Sequence, residues 1–106
     1  MTAAGGAADD IQPEGGPVLR RTLQICNRRG LHARAAAKFV SLAEQFGAAV
    51  EVLKDGQSVS ARSIMGLMML GAGIGSSIEL CAEGWDAKEA MDALSVLVEA
   101  GFNEQD

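Results

Sequence analysis

Asp55-Gly56 constrains the fold more than any other feature. The pair stands between two alternating runs, Ala49–Lys54 and Gln57–Arg62. Both residue types tolerate positive φ, so they suit the two-residue turn that joins antiparallel strands. Val50 and Val52 share one face of the first strand. Val59 and Ala61 share one face of the second. The middle of the chain is thereby committed to a β-hairpin.

The flanking segments alternate in type. Leu19–Cys26 reads as a strand with Leu19, Leu23 and Ile25 on one face, although Arg21 breaks the pattern. Residues 27–31 form a loop. Ala33–Phe46 reads as a helix, because Ala36, Phe39, Val40, Ala43 and Phe46 make one apolar stripe. Gly47 suits the left-handed position after it. Ser63 suits the N-cap of a short helix, Ile64–Leu70, closed by Gly71. Ser76–Glu83 is a further strand. Asp86 and Glu89 resemble a capping box for a last helix, Ala87–Ala100, which Gly101 ends. Trp85 is expected to pack, and residues 102–106 are expected to fray.

The order β-α-β-β-α-β-α predicts an α+β sandwich: a four-stranded antiparallel sheet covered on one face by three helices. The chain has 106 residues, enough for one domain and too few for a TIM barrel or a two-domain dinucleotide enzyme. Aromatic residues make up 4%, with no Tyr, so the core rests on Ala, Val, Ile, Leu and Met. Residues 1–17 carry four Gly, both prolines, three acids and no cation, which predicts a disordered N-terminal tail before a domain at residues 18–101. They also lack the basic start and apolar stretch of a secretory signal, so a cytoplasmic protein is expected. The longest apolar-rich run, Ile64 to Ile74, is far short of the ~20 residues of a membrane span. Cys26 and Cys81 lack CxxC spacing and are expected to be buried or half-buried thiols, without a disulfide.

Charge is segregated. From Val18 to Ala43 there are six cations (Arg20, Arg21, Arg28, Arg29, Arg34 and Lys38) and no acid. From Glu44 onward there are three cations and eleven acids. The net charge of -5 argues against a nucleic-acid partner. The cationic segment, in contrast, surrounds the only histidine, His32. That residue sits where a helix begins, beside free N–H groups and the positive dipole end, which is a ready anion site. Fixed cations favour the neutral imidazole, and a neutral ring nitrogen is a competent nucleophile. The combination suits a histidine that accepts a phosphoryl group. One His and two Cys are too few for a structural zinc site, so no metal is expected, and no cofactor. Gly71 to Ser77 (GAGIGSS) lacks the Lys-Ser/Thr of a phosphate loop and follows a helix, so it reads as a connector.

Two segments carry a family resemblance. GLHARAAAKFV, Gly30 to Val40, resembles the phosphorylation-site segment of the histidine-containing phosphocarrier (HPr) family of the bacterial phosphoenolpyruvate phosphotransferase system. SVSARSIMGLMMLGAGIGSSIEL, Ser58 to Leu80, is similar to that family's regulatory-serine region. The resemblance spans roughly Val18 to Gly101 and implies that family's open-faced β-sandwich. It implies that His32 accepts the phosphoryl group on Nδ1, from enzyme I, and passes it to a IIA protein or domain. It implies further that Arg34 compensates the phosphate, with Ala33 contributing. Arg29, which stands where many members have a small polar residue, is expected to add a further phosphate contact. Ser63 matches the serine modified by a dedicated HPr kinase/phosphorylase. Ile64, Met65 and Met68, with Arg34, match the partner-docking patch, and a monomer is implied. One departure is Ala35, where the family commonly has Pro. Ala is a good helix former, so the helix start is expected to survive.

Two other readings compete with phosphoryl relay. One is a mainly regulatory, nitrogen-type protein whose phosphorylation state selects its effector. The other is a Ser-His hydrolase, for which no nucleophile motif is present.

Overall fold

The computed structural model describes residues 18–104, so the expected tail at residues 1–17 lies outside the described residues. The elements are β1 (Val18–Gln24), α1 (Ala33–Ala43), β2 (Ala49–Lys54), β3 (Gln57–Ser60), α2 (Ile64–Met69), β4 (Ser77–Glu83) and α3 (Ala87–Glu99). A 3-10 turn, Gly101–Asn103, follows. The strands pair β1-β4-β2-β3, antiparallel throughout. The predicted α+β sandwich is therefore the observed one.

The pairing has a consequence for the helices. β4 lies between β1 and β2, so β1-α1-β2 is a crossover between parallel strands with one strand inserted. β3-α2-β4 is a second such unit, with β2 inserted. Crossovers of this kind are almost always right-handed. The two run in opposite senses along oppositely directed strands, which puts both helices on the same face. α3 packs on β1 and β4 beside α1. The core between the layers holds Phe39, Val52, Leu67, Ile78, Leu80, Met91, Leu94 and Val98, all buried.

The hairpin turn is as expected, with Asp55 at φ +50° and Gly56 at φ +83°. Gly71 and Gly101 also take positive φ at their helix ends. Several local expectations need correction. α1 stops at Ala43 rather than Phe46, because Gln45 and Phe46 bond three residues back, to Leu42 and Ala43, in a tightened turn. Gly47 is not left-handed. Its lack of a side chain instead lets the Trp85 indole lie close, since a Cβ there would be 2.9 Å from Trp85 Nε1.

Asp86 makes no side-chain cap on α3. Its carboxylate accepts from the N–H groups of Gly47 and Ala48, both at 2.8 Å, and so clamps the α1–β2 connection. Trp85 is 80% exposed rather than packed. Cys26 is exposed, because its strand has ended and its Sγ faces the last carbonyls of α3, Val98 and Glu99, at 3.5 Å. Cys81 is half-buried, and both thiols are free. The described C-terminal residues do not fray: Phe102 is fully buried. No helix among the described residues is long and apolar enough to cross a membrane.

Candidate functional site

His32 is the N-cap of α1, with extended backbone at φ -76° and ψ 177°. The loop before it is held on both sides. Gly30 N–H donates to Asn27 O at 3.2 Å, and Leu31 N–H donates to Ala72 O at 2.9 Å. The second bond ties the His32 loop to the connector that leaves α2. Ala35, at the place of the commoner Pro, is fully buried in α1, and the helix starts at Ala33 as expected.

Each ring nitrogen of His32 has a partner. Nδ1 accepts from the backbone N–H of Arg34 at 3.3 Å. Nε2 meets a carboxylate oxygen of Glu104. The pair is sheltered, with the two side chains 15% and 11% exposed. The other oxygen of Glu104 accepts from Asn27 Nδ2 at 3.0 Å. That amide holds the Glu104 carboxyl below the usual carboxylate range, with His32 acting in the same direction and burial opposing.

The cationic segment divides in space. Arg20 pairs with Glu79, and Arg21 bonds Ser95 and Asp92 across the sheet and α3. Lys38 donates to Phe102 O at 2.7 Å. Arg28, Arg29 and Arg34 remain around His32, and all three are exposed. No ion pair or side-chain hydrogen bond of Arg29 or Arg34 is found among the described residues. Ala33 is the first helical residue, and its N–H is one of those a helix leaves unpaired. The ring is thus not flanked by cations alone. Glu104 was beyond sequence reasoning, which had placed it in a fraying end.

Ser63 caps α2, its Oγ accepting from Gly66 N–H at 2.9 Å. Leu67 and Leu70 point into the core, while Ile64, Met65 and Met68 are exposed, Met65 at 69%. Met69, on the same helix, is exposed as well and adds to this apolar patch beyond the three expected residues, while Ile74 is exposed in the connector that follows. The signal for Met69 was present: a six-residue helix has too few turns to bury all five of its large side chains. Among the described residues no cluster of three or more His, Cys, Asp or Glu is placed to hold a metal ion.

An open-faced α+β domain with one sheltered histidine at a helix N-terminus defines the class. A family model described as PTS HPr component phosphorylation site matches residues 19–100. The chain is 49% identical over 87 residues to the phosphocarrier protein HPr of Cupriavidus necator, covering 82% of this chain and 98% of that protein. It is 45% identical over 86 residues to the phosphocarrier protein NPr of Shewanella violacea, covering 81% and 94%. The crystal structure of HPr-C-His from Thermoanaerobacter tengcongensis superposes with a TM-score of 0.79 at 46% identity, covering 82% of this chain and 98% of that one. The chain therefore belongs to the HPr family of phosphocarrier proteins of the phosphotransferase system.

Proposed function

We propose that the protein relays a phosphoryl group through Nδ1 of His32, taking it from phosphoenolpyruvate-charged enzyme I and giving it to a IIA protein. One observation carries this reading: Nδ1 faces the N-terminus of α1 at Arg34 N–H, while Nε2 is engaged by Glu104. The Nδ1 lone pair attacks phosphorus as the donor's bond to phosphorus breaks, and the reverse step delivers it onward. The unpaired N–H groups of the first turn, Ala33 included, and the dipole end meet the phosphoryl oxygens. Arg34 and Arg29 supply mobile positive charge. Phosphoryl transfer asks mainly for positioning and charge compensation, so the carrier needs little else.

The domain at residues 18–101, extended by the turn through Glu104, works as a cytoplasmic monomer. Ile64, Met65 and Met68 form the docking surface, since adaptable Met side chains suit a carrier with several partners. Ser63 is the regulatory position for an HPr kinase/phosphorylase. A phosphate there would sit favourably at the α2 cap, by about 0.3–1 kcal/mol, leaving the fold unchanged. It would place about two negative charges beside the apolar patch and weaken docking.

The test is intact mass after incubation with phosphoenolpyruvate, magnesium and enzyme I. The protein should gain one acid-labile phosphate, and His32→Ala should gain none. A folded wild-type protein that takes no phosphate from active enzyme I would overturn the relay.

A further inference from the structure

Gly101, Phe102 and Asn103 take φ of +63°, +58° and +62° in succession. Two of the three are not glycine, and such a conformation persists only where its surroundings impose it. Burial of Phe102 and the Lys38 bond to its carbonyl impose it here. The turn brings Glu104 to His32. Asn27 Nδ2 donates both to Glu104 and to Gly30 O, the latter at 2.9 Å, so one amide joins the carboxylate to the loop that carries the histidine.

An ionised carboxylate only accepts hydrogen bonds, so the Nε2 that faces it carries the proton. At the other nitrogen a backbone N–H donates, so Nδ1 carries the lone pair. Both contacts select one tautomer. We propose that Glu104 is a positioning residue that keeps the proton on Nε2, and thereby keeps the Nδ1 lone pair available for phosphorus. This rests on the relay proposed above. When Nδ1 bonds phosphorus and the donor's bond breaks, the ring holds both the phosphoryl group and the Nε2 proton, and Glu104 is its counter-charge. The aspartate of a Ser-His-Asp triad serves its imidazolium in the same way. On delivery the P–N bond breaks, its electron pair returns to Nδ1, and the ring departs neutral. A ring stripped of the Nε2 proton would have to depart as an anion, a poorer leaving group. The charged groups about the ring are Glu104, with Arg29 from the loop and Arg34 from α1, and Arg28 lies on the Glu104 side.

Imidazole 15N NMR on wild type, Glu104→Gln and Glu104→Ala reads the tautomer directly. Loss of phosphate from each purified phosphoprotein reads the leaving group. Wild type should show the Nε2–H form alone. Glu104→Gln should retain it only in part, because its single amide oxygen must serve both Asn27 Nδ2 and Nε2–H, and Glu104→Ala should show a fuller mixture. Both variants should lose phosphate at least ~10-fold more slowly at neutral pH. Glu104→Ala with the wild-type ring signals and wild-type rate overturns the proposal. So does a variant that melts earlier yet keeps both readouts, since Glu104 would then only anchor the chain end. If wild type takes no phosphate, the relay fails, while the ring signals still decide what Glu104 does.

Discussion

At Gly30 the backbone sits at φ +67°, and a Cβ there would lie 2.3 Å from the carbonyl oxygen of Ala72. That oxygen accepts from Leu31 N–H, the bond that seats His32's loop on the connector after α2. Gly30→Ala must therefore shift backbone against backbone. It should cost more than the ~1–3 kcal/mol of a strained φ alone and slow phosphoryl uptake. Gly56→Ala is the control, since it has positive φ but nothing within 4 Å of its Cβ. Thermal unfolding of the two variants separates clash from strain, and equal losses would refute the close approach. The site was legible in the sequence only where its parts are neighbours. Gly30, His32 and Arg34 lie within five residues, and the cations around them stand out in an acidic chain. Glu104 is 72 residues from His32, and no periodic pattern marks a contact of that span. The same holds for Asp86, whose spacing to Glu89 signals a cap while its carboxylate serves Gly47 and Ala48.

The elements were legible for a different reason. Each helix carries its own apolar stripe, and the hairpin carries its own turn. Element ends were not, because they depend on what the chain meets next. α1 tightens before β2, and the chain beyond α3 folds back because Phe102 finds a core site between α1 and α3. α2 has the opposite character. Its six residues bury Leu67 and leave Ile64, Met65 and Met68 in solvent at no evident structural gain. Exposed apolar patches on small proteins commonly mark partner surfaces. Met65→Asp should therefore leave stability within about 0.5 kcal/mol. It should slow phosphoryl uptake from enzyme I through weaker docking, seen as a raised KM for the carrier with kcat little changed. Unaltered uptake would remove α2 from the docking surface.

Across the whole molecule acids outnumber cations, and among the described residues two carboxylates are held below the usual range. Asp92 is lowered by its bonds to Lys88 and Arg21, and Glu104 by Asn27 and His32. A carboxyl group whose folded value is depressed stabilises the fold above its unfolded value. That contribution is lost as pH falls through the folded value. Asp92 and its partners are largely exposed, so solvent screens them and little stability is at stake. Glu104 is sheltered and closes the loop between the chain end and the site. Wild type should therefore be more stable than Glu104→Gln at neutral pH. The gap should narrow below about pH 4.5, as protonated Glu104 comes to match the glutamine in charge. Asp92→Asn should show a smaller gap that high salt removes. Thermal unfolding from neutral to acid pH measures both. Parallel wild-type and Glu104→Gln curves would mean that the carboxylate's charge contributes nothing to the fold. The chain end would then be held by Phe102 and Lys38, and the role of Glu104 would be confined to the ring it faces.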